Sequence, residues 1–367
     1  MNNEIKSILN TIESNGFEAY VIGGFVRDHL LGITSTDIDI ATNALPKDLK
    51  LIFKNYNAKV SLYGAFKIMT DKYHFDITTY RKEYSYYNRR PDKIEYIDNL
   101  IEDINRRDFT INTICMNSKG EIIDELKGLN DLKAKTIKCV GDPNIKLKED
   151  PLRILRALRF AITLDFKIDN QLLKAIKKNI KLVKTLSYQR QKEELDRILI
   201  SPNAINGLKV LKNLGILKEL NIKYNCLNYV DDLCGMYAQI DINSKFPFTK
   251  EETNNILIIK SIIKAKRINN ITIYKYGLYL TSVAAKILNI NTIKVVEMYQ
   301  KLPIKNIKEL NIDSNEIITV LHIEPSKLIK TIQNDLIINI LNGKLINDKD
   351  QLICYIINNR KRWIKNG

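Results

Sequence analysis

Apolar residues fall at Ile5, Ile8, Leu9 and Ile12, a spacing that predicts a helix over 4–14. The run Ala19-Tyr20-Val21-Ile22 ends in Gly23-Gly24 and reads as a strand closed by a tight turn. Val26 to Leu31 then reads as a short helix stopped by Gly32. Asp37-Ile38-Asp39-Ile40 alternates with period two, the pattern of a half-buried strand. Two hairpins are predicted: 66–70 with 73–79 around Asp71-Lys72, and 111–116 with 121–124 around Lys119-Gly120. Beyond Gly141-Asp142-Pro143 the period changes. Leu152, Leu155, Leu158 and Ala161 begin a series of helical segments that runs to the C-terminus. Eight of the fourteen glycines precede residue 142, so turns concentrate in the first part. The expected fold class is α+β: a mixed head over 1–140, then all-α segments over 141–200, 201–300 and 301–367.

At 367 residues the chain has room for about two or three domains. Its 45% hydrophobic content marks it as globular. Lys and Arg outnumber Asp and Glu 58 to 42, a net charge of +16. That favours polyanionic partners, nucleic acid first, although acidic lipid or simple solubility also suits a basic chain. The five cysteines (Cys115, Cys139, Cys226, Cys234 and Cys354) form no C-x-x-C pair, so buried free thiols in a reducing compartment are expected. The first residues lack the apolar core of a secretory signal, and no apolar run is long enough to predict a membrane span. A cytoplasmic protein with no membrane partner is expected.

The candidate chemistry begins with Asp37-Ile38-Asp39. On a strand, residues i and i+2 share a face, so the two carboxylates stand together and each raises the cost of ionising the other. A hard divalent cation, magnesium above all, relieves that repulsion and keeps positions for water and phosphate oxygens. Alone, such a pair is more often two solvated acids. Its neighbours change the reading. Gly24 lies in a Gly-Gly turn whose N–H groups can approach a phosphate, and Arg27 can reach the same group. A third acid, Asp76, sits in the strand pattern Phe75-Asp76-Ile77 and is a further candidate for the metal site. Arg106-Arg107 suit a triphosphate or, equally, an ion pair of Arg107 with Asp108 or Glu102. Pro151 suits a first helical position, which makes Asp150 an N-cap candidate. Arg153, Arg156 and Arg159 fall within an arc of roughly 120° on the following helix, where like charges repel unless an anion lies against them.

In order, G-G-x-V-R-D, D-x-D-x-A-T, R-R-D-F-T-I-N and E-D-x-x-R-x-L-R-x-x-R-F resemble the class II tRNA nucleotidyltransferases, or CCA-adding enzymes, and their bacterial poly(A) polymerase relatives. The motifs span residues 20–160. Gly128-Leu129-Asn130-Asp131-Leu132 more loosely resembles the family's G-x-x-D-L hinge, and 343–347 a tail segment. The resemblance implies a head like that of polymerase β, followed by helical neck, body and tail. It implies Mg2+-dependent addition of C, C and A to the 3′ end of tRNA from CTP and ATP, without a template. By the same resemblance Asp37 and Asp39 would hold the metals. Gly24, Arg27, Arg107, Arg156 and Arg159 would hold the nucleotide, and Asp150 with Arg153 would read the base. The last role has its own logic. Cytosine and adenine each set an amino donor beside a ring-nitrogen acceptor, matching an Asp acceptor next to an Arg donor; guanine and uracil present the reverse order.

The segment Tyr80–Pro91 interleaves basic and aromatic residues and is expected to be a loop that contacts RNA. In the family that the motifs resemble, a loop here is needed for the final A, so the resemblance implies full CCA activity rather than addition of C and C only. Three positions depart from the family pattern: Lys127 for the first hinge glycine, Thr113 for Ala, and Gln189 for Glu. His29, His74 and His322 read as structural, and Trp363 as part of a frayed basic terminus rather than an RNA contact. The rivals are a poly(A) polymerase of the same architecture, an enzyme adding part of CCA, and a non-catalytic RNA-binding relative. The last would have lost the acids that Asp37 and Asp39 retain.

Overall fold

A computed structural model describes residues 2–56, 58–60, 65–87 and 90–364, without the side chains of Val60, Ile364 and residues 85–87 and 90–92. The chain divides into two compact units, residues 1–222 and 223–367.

The first unit opens with α1 (Asn3–Glu13), capped by the Asn2 side chain accepting from the Glu4 N–H. Its Ile5, Ile8, Leu9 and Ile12 are buried, each contributing roughly 1.5–3 kcal/mol. There follow β1 (Ala19–Ile22), α2 (Gly24–Leu30), β2 (Asp37–Thr42), α3 (Pro46–Ile52), β3 (Ala58–Val60), β4 (Phe66–Met69) and β5 (His74–Thr79). Next come β6 (Arg81–Tyr87), β7 (Arg90–Tyr96), α4 (Leu100–Asn105), β8 (Cys115–Met116) and β9 (Ile122–Ile123). The described residues form a mixed sheet in the order β3-β4-β5-β2-β1-β8-β9, in which β2 and β5 run parallel and the other pairs antiparallel. Ile38 and Ile40 of β2 point to one face and are buried, while Asp37 and Asp39 point to the other.

The register lines up one row of side chains across that second face: Ile123, Cys115, Ile22, Asp39, Asp76, Lys67 and Lys59. The apolar end lies in a cluster formed by Ile22, Ala41, Tyr80, Ile104 of α4 and Cys115. The charged end is open.

The predicted elements recur with two corrections. Ile111 does not begin a strand; Thr110–Asn112 is a 3₁₀ turn, which leaves β8 only two residues. The expected loop at 80–91 is instead a hairpin, with β6 pairing β7 from Arg81↔Tyr96 to Tyr87↔Arg90. Tyr84 lies between Lys82 and Lys93, whose ammonium groups stand 5.6 and 6.0 Å from its ring. Asn88 and Arg89, and the side chains of 85–87 and 90–92, lie outside the described residues.

Helices then dominate: α5 (Gly128–Lys133), α6 (Pro143–Glu149), α7 (Leu152–Thr163), α8 (Asn170–Asn179), α9 (Tyr188–Leu199), α10 (Ala204–Asn213) and α11 (Ile216–Glu219), with a short parallel pair β10 (Thr136–Ile137) and β11 (Lys167–Ile168). The second unit holds α12 (Leu233–Ala238), α13 (Lys250–Ala265), α14 (Asn270–Ile287), α15 (Thr292–Gln300), α16 (Ser314–Leu321), α17 (Lys327–Leu341), α18 (Lys349–Asn358) and α19 (Arg360–Ile364). Trp363 is not frayed. It is 5% exposed in the core of this unit, its ring 6.1 Å from that of Tyr355. Of the cysteines, Cys115 and Cys139 are buried as expected; Cys226 and Cys354 are exposed. No described helix is long and apolar enough to cross a membrane.

The hinge-like segment shows why its glycine is needed. A Cβ at Gly128 would meet the Thr110 carbonyl oxygen at 2.2 Å. Asp124 accepts from the N–H groups of Gly128 and Leu129 at 2.7 and 2.8 Å, and Asp131 accepts from the Thr110 hydroxyl at 2.7 Å. Just before it, Lys127 is forced to φ 59°. A left-handed backbone costs an L-residue roughly 1–2 kcal/mol, partly offset by the entropy glycine loses on folding. Lys127→Gly is therefore expected to stabilise the chain by up to about 1 kcal/mol, and Gly128→Ala to destabilise it by about 1–3 kcal/mol. Urea denaturation of the two variants checks both signs.

Candidate active site

All nine residues predicted to hold metal or nucleotide line one cleft of about 620 Å³ in the first unit: Gly24, Arg27, Asp37, Asp39, Arg107, Asp150, Arg153, Arg156 and Arg159. Asp76 borders an adjoining cleft of about 570 Å³ that also reaches Asp37 and Asp39.

The floor is β2. Asp39 and Asp76 are register partners on parallel strands, so their carboxylates share a face. Desolvation in the cleft pushes the Asp39 carboxyl above its usual range. Arg107 opposes the shift, and Asp76 and Asp37 add to it. Lys67 pairs with Asp76 Oδ2 at 3.0 Å, whereas Asp76 Oδ1 is buried without a partner. His74, expected to be structural, holds Nδ1 3.2 Å from Asp37 Oδ1. Among the described residues no three such side chains are already gathered around a common point. The donor set nevertheless fits a hard divalent cation: carboxylate oxygens only, one of them buried and unpaired.

The turn above the acids is fixed by Gly23 rather than Gly24. Gly23 has φ 82°, and a Cβ there would stand 3.1 Å from Asp39 Oδ2. Arg27, buried in α2, donates to Asn112 Oδ1 at 2.8 Å and to Asp28 Oδ1 at 2.7 Å. Arg107 pairs with the buried Asp103 at 3.3 Å, not with Asp108 or Glu102, and its Nε is buried without a partner.

The opposite wall is α7. The three arginines do not require an external anion, contrary to the expectation from their spacing. Arg156 pairs with Asp108 at 2.7 Å, Arg159 with Glu194 of α9 at 2.5 Å, and Arg153 with Glu149 at 3.4 Å. Arg153 also donates to the carbonyl of Arg106 at 3.0 Å. Phe160 is surrounded by guanidinium groups, with Arg159 3.8 Å, Arg27 4.8 Å and Arg156 5.4 Å from its ring centre. Burial pulls Arg159 down to about 10 against the opposing charge of Glu194. Asp150 does act as a cap, its Oδ1 accepting from the Leu152 N–H at 3.0 Å, and it lines the cleft beside Arg153 as well. Of the departures from the family pattern, Gln189 is exposed and bonded to Glu193, and Thr113 returns its hydroxyl to the Thr110 carbonyl at 2.8 Å.

Sequence reading missed Glu194, Asp103, Asn112 and Phe160 as parts of this site. Asn112 and Phe160 stood inside quoted motifs. Glu194 and Asp103 carried no signal beyond helical acids, because their partners are distant in sequence or were assigned to other acids.

Asp108 shows the balance of terms. Burial alone would push its carboxyl up, but Arg156, the Asn112 amide and the Phe109 N–H together hold it at about 2. Its folded value lies below the unfolded one of about 3.9, so the folded state gains fully above pH of about 4 and loses that gain as pH falls towards about 2. The gain is roughly 2 kcal/mol. Denaturation of Asp108→Asn and the unaltered chain is expected to differ most at about pH 6, with the gap closing as pH is lowered through that window.

Three family descriptions match the chain: the Poly A polymerase head domain over residues 19–138, the Probable RNA and SrmB- binding site of polymerase A over 165–222, and tRNA nucleotidyltransferase domain 2 over 244–356. The CCA-adding enzyme of Limosilactobacillus reuteri (strain DSM 20016) is 34% identical over 95% of this chain and 94% of its own. That of Enterococcus faecalis (strain ATCC 700802 / V583) is 30% identical over 99% and 97%. The fold is similar to that of the Bacillus stearothermophilus CCA-adding enzyme in complex with CTP, with a TM-score of 0.85 at 22% identity and full coverage of both chains. With relatives this similar along nearly its whole length, the chain belongs to the family of CCA-adding enzymes, the tRNA nucleotidyltransferases.

Proposed function

We propose that this chain adds C, C and A in turn to the 3′ end of tRNA, using CTP and ATP and no nucleic-acid template. The observation that carries the reading is the single cleft in which a carboxylate floor faces an arginine wall, with Asp150 and Arg153 at its edge. Curated relatives along the full chain bear the name CCA-adding enzyme, and one similar structure is described as complexed with tRNA_CCA. The scheme of head (1–140), neck (141–200), body (201–300) and tail (301–367), in a cytoplasmic setting, belongs to the same reading.

Asp37 and Asp39 would hold Mg2+, with Asp76 as a third ligand. When bound, the metal lowers the pKa of the primer hydroxyl and neutralises charge that develops on the triphosphate. The remaining work falls to protein groups. Arg107 offers a buried, unpaired Nε–H towards phosphate oxygens. Arg27 is held rigid by Asn112 and Asp28, so little side-chain freedom is lost when a nucleotide binds. Asp150 accepts from the exocyclic amine of C or A and Arg153 donates to the ring nitrogen, an order that leaves G and U with opposed groups.

Three experiments test this. Given tRNA lacking its CCA end, the chain should add C, C and then A when CTP and ATP are both present, and stop. A long A tract from ATP alone would instead identify a poly(A) polymerase. Asp39→Ala should lower incorporation roughly a thousandfold or more while tRNA binding persists. Asp150→Asn separates reading from folding, because Asn also caps helices but presents a donor where Asp has an acceptor. It is expected to leave stability within about 0.5 kcal/mol, reduce C and A incorporation about 10- to 100-fold, and narrow their advantage over U and G.

A further inference from the structure

The two clefts meet at Asp37 and Asp39 and share no other lining residue. Nucleotidyl transfer is an in-line displacement, with the attacking oxygen entering opposite the departing pyrophosphate. If the arginine-lined cleft holds the nucleotide, the attacking strand must come from the other side. The second cleft occupies that side, and its composition is specific.

Its floor continues the charged end of the sheet row. Lys59 and Lys67 are direct cross-strand partners on β3 and β4, and Lys67 in turn is the partner of Asp76. Like charges set directly opposite each other on antiparallel strands are destabilising unless an anion lies against them. Asp76 takes Lys67 at 3.0 Å, whereas among the described residues no carboxylate pairs with Lys59. Adjacent strands lie about 4.7–4.9 Å apart, so the lysines step outward from the catalytic pair at that interval. Beside them on the same face, Met69 is 66% exposed and partners His74, itself next to Asp37. The cleft thus offers two cations, an apolar surface and access to Asp39.

We propose that this cleft receives the 3′-terminal nucleotide of the RNA being extended, with Lys59 and Lys67 holding its phosphodiester and Met69 lying against its base or ribose. The proposal rests on the functional reading above and adds the side from which the primer enters. The lysines bind backbone and carry no base information, as suits a site that must accept whichever nucleotide ends the incoming tRNA and then an added C.

The test has a kinetic arm and one that needs no turnover. Lys59→Gln/Lys67→Gln, both at exposed positions, should raise the KM for tRNA lacking CCA about tenfold and leave the KM for CTP within about twofold, with Lys59→Arg/Lys67→Arg restoring most of the loss. An equal rise in the KM for CTP would place the lysines on the triphosphate and overturn the proposal, as would no change in either constant. Separately, tRNA whose 3′-terminal nucleoside is 4-thiouridine is irradiated with the unaltered chain. The crosslink is expected on the peptide spanning residues 58–76, and a crosslink confined to α2 or α7 would overturn it. Failure of the unaltered chain to add C or A would sink the functional reading instead, while the crosslink would still report where the RNA end lies.

Discussion

The site depends on the ion pairs that tie α7 to the segments packed against it. Arg156 reaches Asp108, which directly follows the arginine pair at 106–107, and Arg159 reaches Glu194 on α9. Buried pairs of this kind often add little net stability compared with well-packed apolar groups, yet removing one partner costs about 3–5 kcal/mol because a buried charge is stranded. Their effect here is positional. They let three guanidinium groups crowd around one phenyl ring without mutual repulsion, and so hold the wall of the cleft against its carboxylate floor. The charge of these arginines is balanced by carboxylates of the chain itself.

The floor has a matching logic in the sheet. One row of side chains passes from buried Ile22 and Cys115 to open Asp39, Asp76 and the lysines. The apolar half anchors the row beneath α4, so the first open position carries a carboxylate crowded by protein on one side. That crowding accounts for the upward push on Asp39, against which Arg107 acts. The fold supplies both the desolvation and the cation that answers it.

Much of this was legible along the chain. The period-two run at 37–40 and the Gly-Gly turn located the floor, and the arginine spacing located the wall. What sequence could not supply was the pairing of charges. Glu194 lies 35 residues from Arg159 and Asp108 lies 48 from Arg156, so the arginines looked unbalanced and an external anion was inferred. Tyr80–Pro91 read as a loop because lysines and tyrosines interleave there, yet alternating aromatics also suit a two-stranded ribbon, where Tyr84 can lie between cross-strand and same-strand lysines. Trp363 sits among basic residues that suggest a loose end. An indole buries enough apolar surface to dock the segment regardless of its charged neighbours.

The base of that ribbon and Arg107 of the cleft share one carboxylate. Asp103 is fully buried; it accepts from the Arg81 N–H at 3.1 Å and from Arg106 at 2.8 Å, and it pairs with Arg107 at 3.3 Å. Burial would raise its pKa, but the two guanidinium groups outweigh that and keep it ionised. Glu83, on the first ribbon strand, binds Arg81 at 2.7 Å and Arg106 at 3.2 Å. Each cation in this cluster therefore answers to a carboxylate that also serves another cation. A ribbon displaced at its base would withdraw a donor from Asp103 and shift the balance of attraction on Arg107. The position of the ribbon and the aim of Arg107 into the cleft are thus set by one shared charge, and a substitution at either end has to be read at both.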